Sequence, residues 1–209
     1  MQKKTFQILI GWGMKKGILI NEITIFSTTV QAKVDVCVFD LLGKSGEAYK
    51  SVEEWALAAK AWNADLNLIP YQDEAKAQND FDTGRCDGVA MTSMRARKYN
   101  KFAGSIDALG AVTNNSIAQK AISYVLDKRN RHRLTATVNG DKFEVAGIIQ
   151  VGLAYIFVRD KNIDTIEKAK GKKFAYLHYD QAQKAIVESI DLVAVPSDIS
   201  DFVKKFNSG

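Results

Sequence analysis

From residue 34 onward, short apolar runs alternate with segments of helical spacing, and that rhythm admits few folds. VDVCVFD (34–40) is apolar and β-branched and reads as a strand. EAYKSVEEWALAAKAW (47–62) places Val52, Trp55, Ala59 and Trp62 on one helical face. DLNLIPY (65–71) reads as a second strand, DEAKAQNDFDTG (73–84) as a short helix ended by glycine, and CDGVAMTS (86–93) as a third strand. Such alternation predicts βαβ units, a parallel sheet and right-handed crossovers. The pattern changes after a helix predicted at 116–129. Residues 134–160 read as strands, with Asn139-Gly140 as a hairpin turn. The βα rhythm then resumes with a helix at 163–170, a strand at 174–179, a helix at 180–190, a strand at 192–196 and a helix at 198–207.

The segment Gly84–Asp107, GRCDGVAMTSMRARKYNKFAGSID, carries the densest chemistry. An apolar strand ends in two hydroxyls, Thr92 and Ser93, and two arginines, Arg95 and Arg97, follow at once. Open α/β sheets hold small polar or anionic ligands at the carboxyl ends of their strands. A guanidinium there suits a carboxylate, although a salt bridge to a nearby acid is an equal use for it. Two residues apart on a helix, Arg95 and Arg97 point in different directions, so at most one is expected to face a ligand. Asp40, ending the first strand, either accepts hydrogen bonds from a ligand or caps its own loop. Ser45 sits in a Gly43-Lys44-Ser45 turn on the same rim. This turn is no phosphate loop, because the required glycine five residues before Gly43 is Val38. Tyr155 and His178 could supply the opposite side of a cleft, or serve as a core tyrosine and a surface histidine. No Ser-His-acid set, G-x-S-x-G elbow or H-E-x-x-H motif is present, so no catalytic residue is assigned and the chain is not expected to be an enzyme.

Charge and cysteine usage bear on location. Lys3, Lys4, Lys15 and Lys16 against Glu22 give residues 1–32 three of the five net positive charges. The rest of the chain interleaves both signs, and no nucleic-acid partner is expected. The run Arg129 to Arg133 reads as a solvated helix end. Residues 1–32 read as a signal peptide. Met14 is a possible true start, Lys15 and Lys16 form the charged region, Gly17 to Val30 the apolar region and Val30-Gln31-Ala32 the cleavage site. Asn21 and Glu22 interrupt that run, and an ordinary N-terminal strand and helix is the competing reading. No stretch reaches the ~18 unbroken apolar residues that a membrane span needs. In an exported protein Cys37 and Cys86 read as a disulfide; in a cytoplasm they would be two small buried thiols. With only His132 and His178 available, no metal site and no cofactor are expected.

The blocks VDVCVFDLLGKSGEAYK, DFDTGRCDGVAMTSMRARKYNKFAGSID, TIEKAKGKKFAYLHYDQAQ and SDISDFVKKFNSG resemble bacterial extracytoplasmic solute-binding proteins, and more narrowly those of the AdeT type, a group associated with drug efflux. A broader likeness is to the binding subunits of tripartite ATP-independent periplasmic (TRAP) transporters. The resemblance covers residues 33–209. It implies a type 2 periplasmic-binding-protein-like α/β fold: a first lobe at 33–145, a crossing strand and partial second lobe at 146–209, and a ligand cleft that closes by hinge motion. Family members are longer, so the second lobe is expected to be truncated here. Many TRAP subunits clamp a ligand carboxylate with an arginine where this chain has Ala175. The implied function is capture of a small polar or anionic solute for a membrane transporter. The alternative is a periplasmic efflux accessory acting through protein partners. The full-length protein is expected to be a monomer.

Overall fold

The computed structural model describes residues 33–108, 111–152 and 155–208. The signal-peptide reading of residues 1–32 lies outside the described residues. No helix among those described is long and apolar enough to cross a membrane.

The N-terminal unit is a three-stranded parallel sheet. Strand β1 (Val34–Phe39) lies between β2 (Leu66–Tyr71) and β3 (Gly88–Ala90), in the order β2-β1-β3. Its alternation sends residues to two faces. Val34, Val36 and Val38 pack with Tyr49 and Val52 of helix α1 (Glu47–Ala59). Cys37 and Phe39 pack on the other side with Ala77 of α2 (Glu74–Asp82) and with Cys86. Covered on both faces, β1 is the central strand, which is why its sequence is a continuous apolar run. Cys37 and Cys86 form a disulfide, with their Cα atoms 5.8 Å apart. Asp73 caps α2 by accepting the Lys76 amide, and Gly84, at φ 76°, follows it in the left-handed region.

After β3 come a short helix α3 (Ser93–Ala96), a 3₁₀ turn at Ala103–Asp107 and helix α4 (Asn115–Val125). The helix expected to run to residue 129 ends at Val125. Asp127 then starts a separate 3₁₀ turn, Lys128–Arg133, by accepting the Arg129 amide. The basic run is therefore this turn and not the end of α4. Asn139 and Gly140, at φ 52° and 88°, join β4 (Thr135–Val138) to β5 (Asp141–Glu144) as an antiparallel hairpin. The strand reading of 134–160 holds only there. Residues 145–152 and 155–158 find no partner strand among the described residues, and a strand exists only by its ladder. Tyr155, expected in a strand, is 74% exposed.

The C-terminal unit comprises α5 (Ile166–Ala169), β6 (Lys173–Leu177), α6 (Gln181–Ser189), β7 (Val193–Ser197), a 3₁₀ turn at Ile199–Asp201 and α7 (Phe202–Ser208). β6 and β7 pair in parallel. Tyr176, Leu177 and Val187 are buried in this unit, where α6 packs against both strands.

Candidate functional site at the strand ends

Residues that follow the carboxyl ends of β3, β6 and β7 converge. Arg95, on α3 just past β3, is buried and spends three nitrogens. Its Nε donates to Glu74 Oε2 at 2.9 Å, Nη1 to Gln78 Oε1 at 2.8 Å and Nη2 to Asp198 Oδ1 at 3.1 Å. Glu74 opens α2, and its other oxygen accepts the Thr92 amide at 2.7 Å. The Tyr179 hydroxyl, just past β6, also donates to Glu74 at 3.1 Å, while its ring lies 3.9 Å from the Arg95 guanidinium carbon. Burial disfavours the Arg95 charge, yet the hydrogen bond and charge of Glu74 outweigh it and raise the pKa above that of a free arginine. Burial and the Glu74 charge push the Tyr179 phenol up to about 12.

Arg97 makes the neighbouring contact. Its Nε donates to the Gly104 carbonyl at 3.1 Å and its Nη1 to both oxygens of Asp180, at 3.2 and 3.1 Å. Asp180 also accepts the Gln183 amide and so caps α6. Beside this network lies a cavity of about 250 Å³, lined by Asp73, Glu74, Ala75, Asp198, Ile199, Ser200 and Asp201. Its walls come from the N-terminus of α2 and the turn after β7, and four of the seven lining residues are acidic.

The sequence-predicted residues divide between this network and other places. Arg95 and Arg97 lie at its centre and, two residues apart, reach different acids: Arg95 engages Glu74 and Asp198, and Arg97 engages Asp180. Thr92 caps α3 through its hydroxyl, which accepts the Arg95 amide, and Ser93 is the first residue of that helix. His178 stands at the edge, with Nδ1 3.4 Å from Asp198 and the Ser197 carbonyl.

Asp40 and Ser45 take no part in the ion pairs. Asp40 accepts the amides of Leu42, Ala48 and Tyr49 at 2.8, 3.0 and 3.2 Å, which makes it the cap of its loop and of α1. Ser45 is exposed in the 3₁₀ turn Gly43–Ser45. Tyr155 is exposed.

Glu74, Gln78, Asp180 and Asp198 escaped the sequence reading. Asp180 and Asp198 precede helical segments and Glu74 opens α2, positions that a carboxylate can occupy for local reasons alone. Those local roles hid their use across the fold.

The chain is an α/β protein with charged side chains gathered beyond its strand ends. Residues 50–209 match the model of the family "Solute-binding protein AdeT 1/2", and the chain belongs to that family. It is 39% identical over 171 residues to "Probable solute-binding protein AdeT1" of Acinetobacter baumannii, covering 82% of this chain and 55% of the relative. To "Probable solute-binding protein AdeT2" of the same organism it is 27% identical over 103 residues, covering 49% of this chain and 42% of that protein. The chain thus spans about half the length of the curated relatives it matches.

Proposed function

We propose that this chain carries the ligand cleft of an exported, periplasmic solute-binding protein that delivers a small polar solute to a membrane transporter. One observation carries the reading. Segments following the carboxyl ends of three parallel strands, drawn from two separate sheets, meet around Arg95 beside a cavity of about 250 Å³. That is where open α/β sheets bind ligands. On this reading residues 33–145 and the chain from 146 onward are two lobes, and closure is a hinge motion between them. The Cys37–Cys86 disulfide supports export, since such bonds persist in oxidising compartments.

The arginines set terms for an anionic solute. It would reach Arg95 by replacing Asp198, and Arg97 by replacing Asp180. A neutral polar solute would bind the cavity's carboxylates without that exchange. The test is a thermal-shift screen of carboxylates, sugars and amino acids. A true ligand stabilises by RT ln(1 + [L]/Kd), about 2.7 kcal/mol at a hundredfold excess over Kd. Arg97→Gln should reduce the shift for an anion and spare that for a neutral compound. A screen in which nothing raises Tm counts against the solute reading.

A further inference from the structure

We propose that Asp198 is the releasable arm of an ion-pair latch joining the β6–β7 unit to the β1–β3 unit. The proposal rests on the cleft reading above, but its operation and its test need no solute. Arg95 divides its donors between the units. Nε and Nη1 stay on Glu74 and Gln78 of α2, within its own unit, and only Nη2 crosses to Asp198. Glu74 already balances the buried guanidinium, so losing Asp198 leaves Arg95 with no uncompensated charge. Within its own unit Asp198 meets only the half-exposed His178, at 3.4 Å, among the described ion pairs. It occupies the N-cap position of the turn Ile199–Asp201, yet its side chain makes no capping bond there.

Asp180 is built differently. It caps α6 and is the ion-pair partner of Arg97, and its side chain is 8% exposed against 36% for Asp198. Water and salt therefore reach one arm far more readily than the other. Release would carry an apolar contact with it. Ile199, adjacent to Asp198, packs on the Cys37, Phe39, Ala77 and Cys86 cluster. Both Asp198 and Ile199 line the cavity beside Glu74. Freeing Asp198 would lift Ile199 off that core and open the cavity, while Asp180 and Arg97 keep the units joined. The arrangement gives a pivot and a clasp, the components of a two-position joint.

Hydrogen exchange by mass spectrometry on the whole chain, without added solute, tests this. In Asp198→Ala, backbone amides of 92–100 and 199–204 should exchange about fivefold faster, the upper end for a part-exposed ion pair, while β1 keeps its protection. High salt should reproduce the effect in the wild-type chain, and Asp198→Asn, which keeps an acceptor for Nη2, should fall between. Unchanged exchange in folded Asp198→Ala, or in the wild type at high salt, would overturn the latch. So would equal loss of protection in β1, because Asp198 would then support the whole fold. A silent solute screen with accelerated exchange removes the solute reading and leaves the latch standing. A solute-induced Tm shift with unchanged exchange does the reverse.

Discussion

Glu74 and Arg95 meet at 2.9 Å with their side chains 1% and 7% exposed, the most deeply buried ion pair among the described residues. The pair belongs to one unit, yet it is the platform on which Tyr179 and Asp198 of the other unit rest. Its integrity is therefore a condition for the joint as well as for the core.

Glu74→Gln should be costly although it changes shape very little. It leaves the Arg95 charge buried without its inner partner, which costs about 3 kcal/mol, the lower end for a broken buried pair because Asp198 remains. Urea denaturation of the variant against wild type measures the loss. A change under about 1 kcal/mol would show that the pair is not the anchor described here.

Cys37 and Cys86 close a loop with a sequence separation of 49. Loop-closure entropy puts the disulfide's contribution at about 4 kcal/mol. A double Cys→Ala variant, or the reduced and alkylated protein, should lose about that much unfolding free energy in urea denaturation. Equal stability before and after reduction would contradict it.

Asp40 and Gly46 should behave as one unit. A Cβ on Gly46 would fall 1.8 Å from Asp40 Oδ1, so Gly46→Ala expels the carboxylate from the three amides that it holds. Asp40→Ala alone should cost about 1–2 kcal/mol, as lost caps do. With the carboxylate gone, adding Gly46→Ala should cost less than it does in the wild type. A double-mutant cycle with zero coupling would refute this.

Alkaline pH should weaken the joint through Tyr179. Its phenol is raised from 10.0 to about 12 by burial and by the Glu74 charge, so the folded state favours the neutral form. The associated stability is complete below pH 10.0 and is lost as pH rises toward about 12. Tyr179→Phe should flatten this part of the stability-pH curve, although Tyr71 and Tyr99, also raised, contribute in the same direction. An identical alkaline slope in the variant would remove Tyr179 from the account.

Local signals were legible where one segment suffices to define them. The apolar run from Val34, the helix from Glu47 and the Asn139-Gly140 hairpin all formed, because propensity, turn chemistry and apolar spacing agree over a few residues. Boundaries moved where capping intervened. Thr165, for example, accepts the Lys168 amide and holds α5 to Ile166–Ala169. Residues 145–152 and 155–158 form no strand with any described residue, because pairing needs a neighbour and sequence alone does not supply one.

The sequence by itself determined the strand-helix order from Val34 to Ala90 and the position of two arginines beyond the third strand. Only the tertiary structure decided what those arginines do. Their partners in the C-terminal unit, Asp180 and Asp198, are separated from them by 83 and 103 residues. Attraction between opposite charges acts through space and leaves no periodic mark along the chain. A carboxylate that caps a helix and one that pairs with a distant arginine are the same letter in the sequence. Burial and distance tell them apart.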